Sequence, residues 1–154
     1  MPNLAQELIS YAERGQMLNP VQVSRFTPAE IRLAIQTLMA EDRDALAYAL
    51  GDAGLALHPD SEDILAITSL LAVMREDWPQ AVDLLRQLME MQGDKATVFT
   101  HAMLIRSLRC DLELAAAFEA ARIALAYFPD HAELLKEYDA LSDALGLGAV
   151  LKTH

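Results

Sequence analysis

The stretch REDWPQAVDLL, residues 75–85, places a tryptophan and a proline between two runs of apolar residues at helical spacing. A proline inside a helix removes a hydrogen bond and clashes with the preceding turn, but in the first turn its missing N–H costs nothing. Asp77 precedes Trp78 and Pro79 and has Gln80 three residues on, the spacing at which a side-chain oxygen accepts from an orphan amide of a starting helix. EDWP therefore reads as a tight turn that closes one helix and opens the next.

The same spacing of apolar residues, at three and four, runs through LAQELISYA, IRLAIQTLMA, ILAITSLLAVM, AVDLLRQLMEM and LLKEYDALSDAL. No stretch alternates with the period of two that a half-buried strand requires, so the chain is expected to be all-α. Further helix starts are marked at Thr27, which is followed by Pro28 and by Glu30 three residues on, and at Asp130, which has Glu133 at the same distance. Both patterns pair an N-cap acceptor with an acid favoured by the helix dipole.

Two phrases, LALHPD and LAYFPD, end helical segments at Pro59 and Pro129, which lie 70 residues apart with a break at Gly93 between them. The interval is two periods of about 35 residues, the scale of helical-repeat proteins. Each period holds two helices joined by a short polar turn, with Ala47, Ala81 and Ala117 near the start of the second helix, where a small side chain lets helices approach closely. The expected organisation is an N-terminal helix and linker over 1–27, three helix-turn-helix units at 28–61, 62–95 and 96–131, and a capping helix with a tail over 132–154. Each pair has an apolar stripe that it cannot bury alone, and stacking neighbours bury it. Gly51 and Gly54 fit close crossing, because a helical glycine costs about 1 kcal/mol relative to alanine and needs a reason.

At this level of detail the chain resembles the tetratricopeptide repeat (TPR) family, most clearly in the middle unit. EDWPQAVDLL is similar to the family's turn, with its aromatic residue and the alanine of the second helix. The resemblance implies that Trp78 packs between helices, with Leu65, Ser69 and Ala72 on one side and Ala81, Leu85 and Leu88 on the other. On full burial, truncating Trp78 to alanine is expected to cost about 3–5 kcal/mol. The first unit keeps Ala47, Gly54 and Pro59 but has Asp44 in the aromatic's place, and the third needs about two extra residues to bring Pro129 into register. The implied architecture is a right-handed superhelix of about three TPR-like repeats, with an N-terminal helix and a C-terminal capping helix.

The resemblance also implies a concave groove lined by the first helix of each pair. Its positions fall on Arg32, Gln36 and Met39 in the first unit, Ala66, Leu70, Val73 and Met74 in the second, and Phe99, Ala102, Met103, Arg106 and Arg109 in the third. Apolar anchors, adaptable methionines and arginines suit a segment of another protein that carries apolar side chains and an occasional acid. The lysine and asparagine pattern with which some members clamp a terminal carboxylate is absent.

Charge narrows the function from the other side. With 12 Lys and Arg against 23 Asp and Glu the formal net charge is −11, so the phosphate backbone of a nucleic acid is repelled on average. The longest nearly apolar window, AITSLLAVM, is about half of what a membrane-spanning helix needs. A lone Cys110 forms no internal disulfide, and MPNLAQELISYAERGQ has neither the basic start nor the apolar run of a secretory signal; a cytoplasmic protein is expected. The histidines, His58, His101, His131 and His154, lack the spacing for a shared metal, and no phosphate loop or nucleophile motif occurs. The expectation is a protein-binding module without cofactor or catalytic residues. In size, acidity and repeat number it is similar to bacterial type III secretion chaperones, with a permanent scaffold subunit as the alternative. The amphipathic N-terminal helix, tethered by GQMLNPVQVSRF, is expected to pack either on its own repeats or on a second subunit in a homodimer.

Overall fold

Three turns of one construction set the spacing of this chain. The computed structural model describes residues 3–14 and 20–147, and all of its regular elements among those residues are helical. In order they are α1 (Leu4–Glu13), α2 (Pro20–Val23), α3 (Pro28–Ala40), α4 (Asp44–Leu57), α5 (Glu62–Met74), α6 (Trp78–Gln92), α7 (Val98–Cys110), α8 (Leu114–Tyr127) and α9 (Ala132–Ala144), with a short 3₁₀ turn at Gly93–Lys95. The all-α expectation holds.

Between α3 and α4, α5 and α6, and α7 and α8, the chain turns through a residue in the left-handed region: Asp42 at φ 58°, Glu76 at φ 58° and Leu112 at φ 61°. The next amide reaches back to close the helix. Arg43 N–H donates to the Leu38 carbonyl at 2.8 Å, Asp77 to Ala72 at 2.9 Å and Glu113 to Leu108 at 2.9 Å. The left-handed residues themselves donate to Met39, Val73 and Arg109, each at 3.1 Å. This pair of bonds is the Schellman ending, which satisfies carbonyls that the helix leaves without partners. Asp77 has two tasks: its amide closes α5, while its side chain accepts from Gln80 N–H at 3.3 Å to open α6.

A second kind of turn leads out of α4 and α8. His58 and Phe128 hold nearly the same backbone, φ −134° and ψ 63° against φ −131° and ψ 68°. They donate to Gly54 and Ala124 and accept from Ser61 and His131 in turn. The likeness of LALHPD and LAYFPD is thus a likeness of main-chain geometry. After α6 the chain does otherwise, ending at Gly93 with φ 58° before the 3₁₀ turn.

Capping follows the sequence in part. Thr27 and Glu30 form the reciprocal box expected of them. Asp130 is not a cap: α9 starts one residue later, with His131 at the N-cap and no side-chain bond, because the turn closes with His131 N–H on the Phe128 carbonyl. Asn3 with Gln6, and Thr97 with Thr100, provide caps that the sequence reading passed over.

The contacts divide the chain into two compact units, Met1–Leu71 and Ala72–His154, with the boundary inside α5. In the first unit, Leu4, Ala5 and Leu8 of α1 join Ile31, Ile35, Leu38, Leu50 and Ile64 in one buried cluster. The buried face of α1, Leu4, Ala5 and Leu8, thus packs on its own unit. Part of the expected linker, residues 15–19, lies outside the described residues; the rest includes α2, whose Val23 is fully buried. Gly51 and Gly54 mark close approaches: a methyl at Gly51 would stand 2.7 Å from Leu71 Cδ1, and one at Gly54 3.2 Å from both Ile31 and Ile64, so the neighbours would have to shift. In the second unit, α6, α7, α8 and α9 pack in sequence. Ala81 and Ala117 there, like Ala47 in the first unit, are fully buried.

Two outcomes check this description. Leu112 holds a left-handed backbone with an 85% exposed side chain, so Leu112→Gly relieves roughly 1–2 kcal/mol of strain against about 0.4–1 kcal/mol of added unfolded-state entropy. A net gain of about 0.5–1 kcal/mol in urea unfolding is expected. The second concerns His101, which is buried beside the rings of Tyr127 and Phe128 at 5.7 and 5.8 Å. Burial holds its pKa below the ordinary 6.5. The unfolded chain therefore takes up the proton first, so His101's contribution is complete above about pH 6.5 and declines as pH falls from there toward the folded value. Unfolding of the parent and of His101→Phe, followed from pH 7.5 to 5, should show a shallower decline in the variant.

Candidate functional site

α7 is buried almost all round. Thr100, His101, Met103, Leu104, Ile105, Ser107 and Leu108 are all enclosed; apart from the end residues Val98 and Cys110, this leaves Phe99, Ala102, Arg106 and Arg109 as a narrow outward stripe. The spacings of three and four put these residues on one side of the helix. Phe99 is 60% exposed, an unusual position for a phenylalanine with no solvent role. On α5 a similar stripe runs through Asp63, Ala66, Leu70 and Met74, between buried Ile64, Leu65, Ile67, Thr68, Ser69, Leu71, Ala72 and Val73.

The arginines of the expected groove separate into two kinds. Arg32 Nη1 binds Asp63 Oδ1 at 3.0 Å, joining α3 to α5 within the first unit. Arg109 is held by the Glu137 carboxylate of α9. Arg106 has no ion pair among the described residues. It is exposed, and its guanidinium carbon lies 5.8 Å from the centre of the Trp78 ring, a cation over an aromatic face. A guanidinium lying on an indole keeps its in-plane N–H groups free for a carboxylate.

Trp78 itself departs from expectation. The six packing positions named with it, Leu65, Ser69, Ala72, Ala81, Leu85 and Leu88, are all buried, but the indole is only half-buried. It occupies the first position of α6, beside the exposed turn residues Glu76 and Asp77, and Arg106 covers the ring with a charged rather than an apolar group.

The remaining predicted groove residues divide by exposure. Met74 (44%) and Gln36 are exposed, while Met39, Ala66, Leu70 and Ala102 are half-buried. Met39 and Leu70 lean on the core of the first unit. Val73 and Met103 are 8% and 9% exposed and belong to the core, because they fall on the inner side of their helices. Sequence reasoning missed Trp78 as a surface group and Leu33, 64% exposed on α3. It also missed the neutralising acids Asp63 and Glu137; only knowledge of which helices lie side by side would have revealed partners 31 and 28 residues away.

Among the described residues no group of three or more His, Cys, Asp and Glu is placed to hold a metal, and no helix is long and apolar enough to cross a membrane. Cys110 ends α7 and is exposed.

The fold is an all-α, TPR-like helical repeat. Among solved structures the chain is similar to MamA MSR-1, with a TM-score of 0.71 at 16% identity over 92% of this chain and 84% of that one. It is likewise similar to MamA AMB-1, with a TM-score of 0.72 at 17% identity over 92% and 80%. A second crystal form of MamA AMB-1 gives 0.69 at 19% over 93% and 87%. At such identities the likeness concerns the fold. No family model and no curated protein matches the chain.

The half-buried state of Trp78 changes what its removal should do. Trp78→Ala should cost about 2 kcal/mol rather than the roughly 3–5 of a fully buried residue, including about 0.5–1 kcal/mol for the cation over the ring. Chemical denaturation measures this directly, and a loss above about 4 kcal/mol would place the indole in the core.

Proposed function

We propose that the protein is an interaction module that binds a segment of a partner protein and acts by binding, without catalysis. One observation carries the reading: α7 is enclosed except for a stripe that sets exposed Phe99 on the same side as Arg106, an arginine with no ion pair among the described residues. An exposed aromatic and an open guanidinium on one rigid helix are the residue types that dominate binding energy at protein interfaces. Met74 and Trp78, in the same unit, extend the set with an adaptable and an aromatic side chain. The preferred segment carries an apolar anchor and, close by, a carboxylate for Arg106. The TPR-like fold supports the same reading, since a helical-repeat scaffold presents its first helices as a rigid platform.

The finer reading, a bacterial secretion chaperone in the cytoplasm, rests on size, acidity and repeat number, with REDWPQAVDLLRQL as its local sequence support. A permanent scaffold subunit is the alternative. Stoichiometry separates the two: a scaffold co-purifies with its partners in fixed ratio, whereas a chaperone loses its client on handover.

The test uses the partner recovered by affinity purification and confirmed with purified components. Phe99→Asp should raise Kd at least tenfold, mainly through faster dissociation. Arg106→Glu should slow association, with the difference shrinking as salt is raised from about 0.05 to 0.5 M. Both variants should keep the helical circular dichroism of the parent. Unchanged kinetics in both would overturn the stripe as the binding surface.

A further inference from the structure

The opposite side of α7 carries a second opening. Between α6 and α8 lies a groove of about 220 Å³, with Leu104 and Leu108 of α7 as its floor, Met89 and Arg86 on one wall, and Ala116, Glu119, Ala120 and Ile123 on the other. Leu104 and Leu108 lie roughly half a turn around the helix from Phe99 and Arg106, so this groove and the stripe are separate surfaces. Its volume is roughly seven times the ~30 Å³ share of one water molecule, enough to admit an aliphatic side chain.

Apart from Glu119 the α8 wall is apolar, where solvent-facing helices of this chain are charged. Over its length from Leu114 to Tyr127, α8 has only Glu119 and Arg122 as charged residues. These two hold each other, Arg122 Nε donating to Glu119 Oε2 at 2.9 Å. The α8 side is thus electrically neutral, in a chain of net charge −11, and leaves Ile123 41% exposed. Arg86 is exposed and makes no ion pair among the described residues. The groove therefore offers an apolar floor, a neutral wall and one open cation at its edge.

We infer that this groove is a second docking site, which takes a helical segment of a partner protein with an aliphatic side chain for the Leu104 and Leu108 floor and an Asp or Glu for Arg86. Charge favours this occupant over another copy of the chain, which would bring a further −11 against the first. Two unlike surfaces on opposite sides of one helix let the protein hold two components together, which favours the scaffold alternative. The site does not depend on the reading of the Phe99 stripe.

A library of helices, with residues varied at i, i+3, i+4 and i+7 on a fixed polar background, is selected against the intact protein. Sequences that carry a large aliphatic residue with Asp or Glu one turn away should be enriched. Their affinity should fall at least tenfold in Ala120→Trp, whose indole fills the groove, and severalfold in Arg86→Glu, while Phe99→Asp leaves it unchanged. If Ala120→Trp proves unstable by thermal unfolding, Ile123→Glu on the exposed rim replaces it, with the same loss expected. The proposal is overturned by enrichment of basic sequences, by no enrichment, or by affinity indifferent to the Ala120 and Ile123 changes. Self-association in analytical ultracentrifugation that those changes abolish would also overturn it, because the occupant would then be a second copy. A loss caused by Phe99→Asp alone would assign the selected helices to the other surface.

Discussion

The hairpins of this structure depend on one main-chain closure, the amide of Arg43, Asp77 or Glu113 returning to the carbonyl five residues earlier. The bond needs a left-handed residue just before its donor, and none of the three positions is glycine. At each position the chain accepts local strain of roughly 1–2 kcal/mol, in return for a reversal of direction in a few residues. With the direction reversed so abruptly, Ala47, Ala81 and Ala117 follow four residues behind the donor in each hairpin and are fully buried. A bulkier side chain at any of them would meet the neighbouring helix.

Much of this was legible in the sequence because it depends on local chemistry. Helical periodicity, the Thr27–Glu30 box, Asp77 with Gln80 and the break at Gly93 all act within a few residues. Gly51 and Gly54 were also legible, since a glycine inside a helix implies a close neighbour, and Leu71, Ile31 and Ile64 are those neighbours. The start of α9 was misjudged because two residues competed for the cap and the main-chain turn at Phe128 decided between them. The inward positions of Val73 and Met103 were misjudged because groove positions were carried over by register, and register does not say how deeply a neighbouring helix covers each residue.

Electrostatics was legible only as a total. A net charge of −11 says nothing about which arginines are quenched. Asp63 and Glu137 neutralise Arg32 and Arg109 from helices next in the fold, whereas Arg106 meets an indole. The contrast arises from tertiary placement of residues far apart in sequence. It turns a generic mixture of apolar and basic positions into a surface with one defined cationic point.

The closures described above are made by amides and carbonyls, which every residue type supplies. The side chains at Asp42, Glu76 and Leu112 are an acid, another acid and an aliphatic, yet the backbone there is nearly the same. A lineage can therefore exchange these letters with little change in the path of the chain, provided the buried alanines and glycines stay small. Such an architecture erases its textual signature faster than its shape. That is how a chain can share the fold of MamA AMB-1 at a TM-score of 0.72 with only 17% of its residues identical.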